Sequence, residues 1–204
     1  PMSKFMKFER TQWPVGHGGF HTGILKFDKV DFRYFYDCGS KSKEGNTLIE
    51  DKLSNVHFNF GVISHFDRDH YEALLNATVD VLFIPYMSPT DMLFYTIASL
   101  MDGSSVEEAI QGYAVLRRLS NAGTRIVMVN DSQPNQDSPT ADTVEDPISD
   151  DAVSLRIDTN RNGTSDYQQM SHESAVEAQL GAQPLLYFKF FNYREAEASV
   201  DFDS

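Results

Sequence analysis

The chain has 204 residues, 41% of them apolar and 23% charged, with 15 Phe and 9 Tyr, which suits a globular domain with an ordinary core and excludes a disordered chain. A formal charge of −13 has the wrong sign for gripping duplex nucleic acid or an anionic membrane through bulk electrostatics. The single cysteine, Cys38, excludes an internal disulfide framework and a cysteine zinc finger. No run of about eighteen apolar residues predicts a spanning helix. The start also lacks the basic-then-apolar pattern of a secretory signal. The expectation is a cytoplasmic protein with no membrane role, and Pro1 ahead of Met2 reads as an addition.

Residues 4–9 and 20–27 read as strands, as does the aromatic run Phe32-Arg33-Tyr34-Phe35-Tyr36, which ends at Asp37-Cys38-Gly39-Ser40. Leu48, Ile49, Leu53 and Val56 recur at helical spacing, with Asn46 as the expected cap. A strand over 58–64, a loop over 65–68, a short helix over 71–77 and a buried-type strand over 79–84 follow. Helices are predicted from Pro89 and Asp91 to Leu100 and from Ser105 to Leu119, then a strand over 125–129. Between Asp131 and Asp151 stand seven acids, three prolines and no Lys or Arg. That span reads as a solvated loop or insertion, with a segment that contacts a protein partner as the alternative. Beyond it we expect a strand over 152–158, a hairpin mate over 164–168, a helix over 171–180 and an apolar strand over 184–193. Strands alternating with helices imply an α/β layered sheet.

Ser64-His65-Phe66-Asp67-Arg68-Asp69-His70 follows a buried strand and leads into a helix. His65, Asp67, Asp69 and His70 put four candidate metal ligands within six residues. A tight turn at a strand end can aim such side chains at one centre, and imidazole with carboxylate suits zinc, manganese or iron better than calcium. The competing reading is a polar loop in which Asp69 caps the following helix. It accounts for one residue and leaves three.

This stretch resembles the His-x-His-x-Asp-His signature of the metallo-β-lactamase-fold hydrolases, with Asp67 in place of the second histidine. Val15-Gly16-His17-Gly18-Gly19 and Tyr36-Asp37-Cys38-Gly39 are similar to that family's opening hairpin, and the likeness covers about residues 12–85. The Asp-substituted motif is similar to the subgroup that includes the nuclease-like domain of competence DNA-uptake proteins. The resemblance implies a metallo-β-lactamase-like αββα sandwich over residues 1–204. It also implies one or two divalent ions, zinc or manganese, with His65 and Asp67 as ligands of a first and Asp69 and His70 of a second. Asp69 would orient or deprotonate the attacking water, and Asp37 would brace the ligand loop.

The family supplies further ligands from its second half. Here His172 is the only later histidine, rated below an exposed first-turn residue, and Asp131, Asp201 and Asp203 are the other candidates. The chain is therefore expected to be an N-terminal portion of a longer protein. Among weaker signals, Asp158-Thr159-Asn160-Arg161-Asn162-Gly163 matches half a calcium loop but reads better as a hairpin turn at Asn162-Gly163. His17 and His21 read as partly buried polar residues, with an approach to the active site from the opening hairpin as the alternative, and Cys38 reads as a small buried hydrophobe. The expected function is a metal-dependent hydrolase of a phosphodiester or nucleotide-type small substrate. A catalytically degenerate binding or regulatory module of the same fold is the alternative.

Overall fold

The structure, a computed structural model, describes residues 6–27, 30–101, 103, 105–106, 110–130, 142–145, 153–159, 168–170, 174–181 and 183–190. Strands β1 (Met6–Gln12), β2 (Gly18–Phe27) and β3 (Val30–Ser40) form an antiparallel meander. Helix α1 (Lys43–Leu53) leads to β4 (His57–Val62), which pairs parallel to β3. The short helix α2 (Arg68–Tyr71) and a 3-10 turn at Leu74–Asn76 lead to β5 (Thr78–Pro85). Helices α3 (Pro89–Met101) and α4 (Gln111–Asn121) then precede β6 (Arg125–Val129). Later strands are β7 (Asp142–Glu145), β8 (Val153–Thr159), β9 (Gln168–Met170), β10 (Ala175–Leu180) and β11 (Gln183–Lys189). Two sheets result, one ordered β1-β2-β3-β4-β5-β6-β9 and the other β11-β10-β8-β7. The chain is a mixed α/β protein.

Alternation along β5 and β6 explains the layering. Leu82, Ile84, Ile126 and Met128 pack with Ile49 and Leu53 of α1, Leu74, and Leu116 and Leu119 of α4. Val81, Phe83, Val127 and Val129 face the other way, against Leu155, Ile157, Val176 and Ala178 of the second sheet. Parallel strands buried on both faces must be apolar at nearly every position, as these are. Helices thus cover one face of the large sheet and the small sheet covers the other. No described helix is long and apolar enough to cross a membrane.

Several expectations are corrected. Residues 175–180, expected in a helix, form β10 between β8 and β11. Ala, Glu and Gln there favour a helix intrinsically. Burial of Val176 and Ala178 at a spacing of two, against the large sheet, overrides that weak preference. The mates of β8 are β7 and β10, while Gln168–Met170 pairs parallel to β6. β7 also places an edge strand inside the span read as a loop, with β-branched Thr143 and Val144 at its centre. Helix α1 begins four residues earlier than expected. Ser42 is its cap, and its Oγ accepts from the Gly45 N–H at 2.9 Å. Asn46 instead ties α1 to its surroundings, accepting from Ser40 N–H and donating to Ser40 O and Glu72 Oε2.

Candidate metal centre

The 65–70 turn lies at the carboxyl end of β4, where ligands of open α/β sheets bind. Phe66 turns inward and packs on Tyr71, ring centroids 5.9 Å apart, which anchors the turn in the helical core. The side chains on either side of it, His65 and Asp67, are left facing outward. Helix α2 starts at Arg68 with Asp67 at its cap position and no side-chain cap bond, so Asp69 sits in the first turn and is not a cap.

Asp37 organises the turn from β3. The β2–β3 register shifts between Phe20↔Cys38 and His21↔Tyr36, so Asp37 is the extra residue of a bulge, with φ of 55°. A bulge re-aims one side chain, and Asp tolerates the left-handed backbone better than most residues do. The buried carboxylate then takes three hydrogen bonds. Ser64 N–H donates to Oδ1 at 2.7 Å, Ser64 Oγ to Oδ2 at 2.8 Å, and His70 Nδ1 to Oδ2 at 2.8 Å.

Proton counting on this network assigns both imidazole tautomers. A carboxylate only accepts, so His70 carries a proton on Nδ1, and in the neutral ring the lone pair is at Nε2. Ser64 spends its one hydroxyl proton on Asp37, so its Oγ accepts from His65 Nδ1 at 2.9 Å. In the neutral ring His65 Nε2 is then also a lone pair. Each of these nitrogens faces a carboxylate: His65 Nε2 lies 3.3 Å from Asp67 Oδ2, and His70 Nε2 3.9 Å from Asp69 Oδ2. With neutral rings each pair sets two acceptors face to face, an arrangement that a shared cation, a proton or a metal ion, satisfies. The rings of His65 and His70 lie 3.7 Å apart, centroid to centroid, joining the two pairs.

Donor chemistry and second-sphere support therefore fit a divalent ion, since a ligating imidazole commonly gives its other N–H to a carboxylate or another oxygen. Convergence does not go as far: among the described residues, no three His, Cys, Asp or Glu side chains stand arranged to hold a metal ion. His172, Asp131, Asp201 and Asp203 lie outside the described residues, as does the Asn162-Gly163 turn.

Backbone packing fixes the depth of the turn. A Cβ on Gly39 would meet the Asp69 carbonyl carbon at 2.6 Å and His70 N at 2.8 Å. Gly18, with φ of 141°, approaches the Asp69 carbonyl oxygen to 2.6 Å on the same measure. Asp69 itself is buried.

Two residues at the site stand outside the expected ligand set. Ser64 stands next to the motif, but its hydrogen-bonded link between Asp37 and His65 needs the fold. His17 is not partly buried as expected: its side chain is 71% exposed, with Nε2 3.4 Å from Asp69 Oδ2. His21 is partly buried, and burial is the main cause that lowers its pKa, followed by Arg10. Cys38 is fully buried, and burial with the Asp37 charge pushes its thiol well up. Burial likewise raises the Tyr36 hydroxyl, Asp37 adds to this, and a hydrogen bond with Ser64 opposes it.

A cavity of about 610 Å³ opens beside Asp69 between α1 and α2, with Lys41, Lys43 and Arg68 on its walls. Arg68 also pairs with Glu72 at 2.8 Å. Neither a scan against protein-family models nor a search of curated proteins finds a match for the chain.

Proposed function

We propose that the chain is a metal-dependent hydrolase of the metallo-β-lactamase fold, acting on a small phosphodiester or nucleotide-type substrate. The observation that carries this reading is that His65 Nε2 and His70 Nε2, with their Nδ1 atoms held by Ser64 and Asp37, face the carboxylates of Asp67 and Asp69. The αββα assignment draws support from the helix layer, the two facing sheets, the glycine-rich approach to β2 and the Asp37-Cys38-Gly39 end of β3.

His65 and Asp67 would hold one divalent ion, and Asp69 and His70 a second. Zinc or manganese bound there would supply Lewis acidity and lower the pKa of a water from about 15.7 towards 7. Asp69 orients the attacking water and takes up its proton. Asp37 and Ser64 keep both imidazoles in the ligating tautomer. The cavity wall sets Lys41, Lys43 and Arg68 beside Glu50, Asp69 and Glu72, so it is formally balanced in an otherwise acidic chain, and the two lysines are the groups that would meet an anionic substrate. The cavity admits a nucleotide or short oligonucleotide, and the overall charge disfavours a long duplex.

A binding or regulatory module of the same fold without catalysis is the second reading. It is favoured by the count of donors, two per pair, among the described residues.

Metal content per chain, measured after dialysis against Zn²⁺ or Mn²⁺ beside a His65→Ala, Asp69→Ala double variant, tests the proposal. Binding in the wild type that the double variant loses supports a metal centre, and hydrolysis of bis(p-nitrophenyl) phosphate by the loaded protein then supports the hydrolase. A wild type that stays metal-free overturns the hydrolase and the metal centre and leaves the second reading. Metal without hydrolysis of phosphodiesters favours the second.

A further inference from the structure

We infer that His17, from the turn that opens β2, is a third protein ligand of the Asp69–His70 ion. This rests on the proposed metal centre and deepens it.

The turn is built to deliver this residue. His17 lies between Gly16 and Gly18, both at positive φ, and its carbonyl accepts from Lys41 N–H at 2.8 Å. Trp13 N–H donates to Phe20 O at 3.0 Å, closing the loop behind it. The close approach of Gly18 to the Asp69 carbonyl sets the two segments side by side.

The contact itself has the dimensions of a coordination edge. His17 Nε2 is 3.4 Å from Asp69 Oδ2, longer than the ~2.7–2.9 Å of a charge-assisted hydrogen bond. Donors bound at ~2.0–2.1 Å in a tetrahedron lie about 3.3–3.4 Å from each other, so the His17–Asp69 separation matches such an edge. The His70–Asp69 separation of 3.9 Å is about half an ångström wider than such an edge, and among the described residues no three such donors stand arranged to hold an ion. His17 is mostly exposed, so it swings inward at little cost and without repacking the core. Asp69 Oδ2 is then flanked by two imidazole nitrogens from different elements. That makes the Asp69–His70 position the tighter of the two, since His65 and Asp67 gain no such neighbour among the described residues.

Competition titration of the metal-free chain with a chromophoric chelator, using Zn²⁺ and Mn²⁺, tests this on the wild type, His17→Ala and His17→Gln. His57→Ala, at the far end of β4, serves as control. A direct donor should cost at least the ~10–100-fold in affinity that loss of an outer-sphere partner costs. We expect that weakening of the tightest step in both His17 variants, none in His57→Ala, an altered Co²⁺ visible spectrum in His17→Ala and an unchanged thermal midpoint without metal. Wild-type affinity and an unaltered Co²⁺ spectrum in His17→Ala, with binding lost in His70→Ala, would overturn the inference and leave the proposed centre standing. A wild type that binds neither ion overturns both.

Discussion

His70 Nδ1 donates to Asp37 Oδ2 at 2.8 Å across 33 residues of chain, and this bond decides which nitrogen of His70 is left to ligate. Asp37→Asn retains an acceptor for Ser64 N–H but turns an amide N–H₂ toward His70. The imidazole must then accept at Nδ1 and carry its proton on Nε2, where it can no longer bind a cation. Metal affinity is expected to fall by about 10–100-fold. Stability is expected to fall by roughly 1–3 kcal/mol for the lost hydrogen bonds of a buried charge. Asp37→Ala should cost about 1–2 kcal/mol more, because Ala fits the left-handed backbone poorly. Denaturant unfolding of the metal-free forms separates the stability effect from the affinity effect. An Asp37→Asn variant with wild-type affinity would show that the tautomer is not set by this bond.

Gly39 tests how far the site depends on backbone packing. A Cβ there falls 2.6 Å from the Asp69 carbonyl carbon, and this neighbour is backbone that cannot rotate away. Gly39→Ala must push β3 and α2 apart. Overpacking of this kind costs about 1–3 kcal/mol. At roughly 2–4 °C per kcal/mol for a chain of this size, calorimetry should record a drop of about 2–12 °C. Because α2 carries Asp69 and His70, metal affinity should fall with it. Full stability in Gly39→Ala would show that the turn adapts freely.

The pH dependence follows from His21, whose Nδ1 is buried without a hydrogen-bond partner. Burial lowers its folded pKa below the ordinary value of 6.5, with Arg10 acting in the same sense and Asp37 opposing. In the window below that ordinary value the unfolded chain holds more protons than the folded one, so the contribution to stability rises with pH there. It acts as a penalty that is complete below the folded pKa and absent well above 6.5. Thermal midpoints at about pH 5 and pH 7.5 should therefore favour His21→Gln, relative to wild type, more at the lower pH. An offset that does not change with pH would remove His21 from the account.

The parallel core was legible because β4, β5 and β6 are nearly continuous apolar runs between turn signals. The 65–70 turn was legible for a different reason: four ligand-type residues crowd a strand end. Local pattern failed where distant packing decided. Ala175–Leu180 is composed of helix formers, yet Val176 and Ala178 meet the large sheet only after the chain has folded back on it. The role of Asp37 was available only through family resemblance, since its bulge depends on a register with Phe20 and His21 that no periodicity reveals. His17 was read from its own neighbours as a partly buried side chain, with an approach to the site only as the alternative. Its partner Asp69 lies on another element, brought near by a glycine contact invisible at that range.

Helix α3 carries the last prediction. Leu93, Phe94, Ile97, Leu100 and Met101 are all exposed, Phe94 at 67% and Met101 at 82%. Their spacing runs along one stripe, yet they contribute little to the core, which draws on α4 through Val115, Leu116 and Leu119 instead. A Phe94→Ser, Met101→Ser double variant removes apolar surface that folding does not bury, so its stability should stay within about 0.5 kcal/mol per site of wild type. Leu116→Ser, at 2% exposure, should lose several-fold more, about 2–5 kcal/mol by comparison with large-to-small core changes. The same α3 variant should bind less of a hydrophobic dye and sediment with less self-association, because a contiguous exposed apolar stripe is what drives both. A large loss of stability in the α3 variant would mean that the stripe is covered within the folded chain, and would count against its being a free surface.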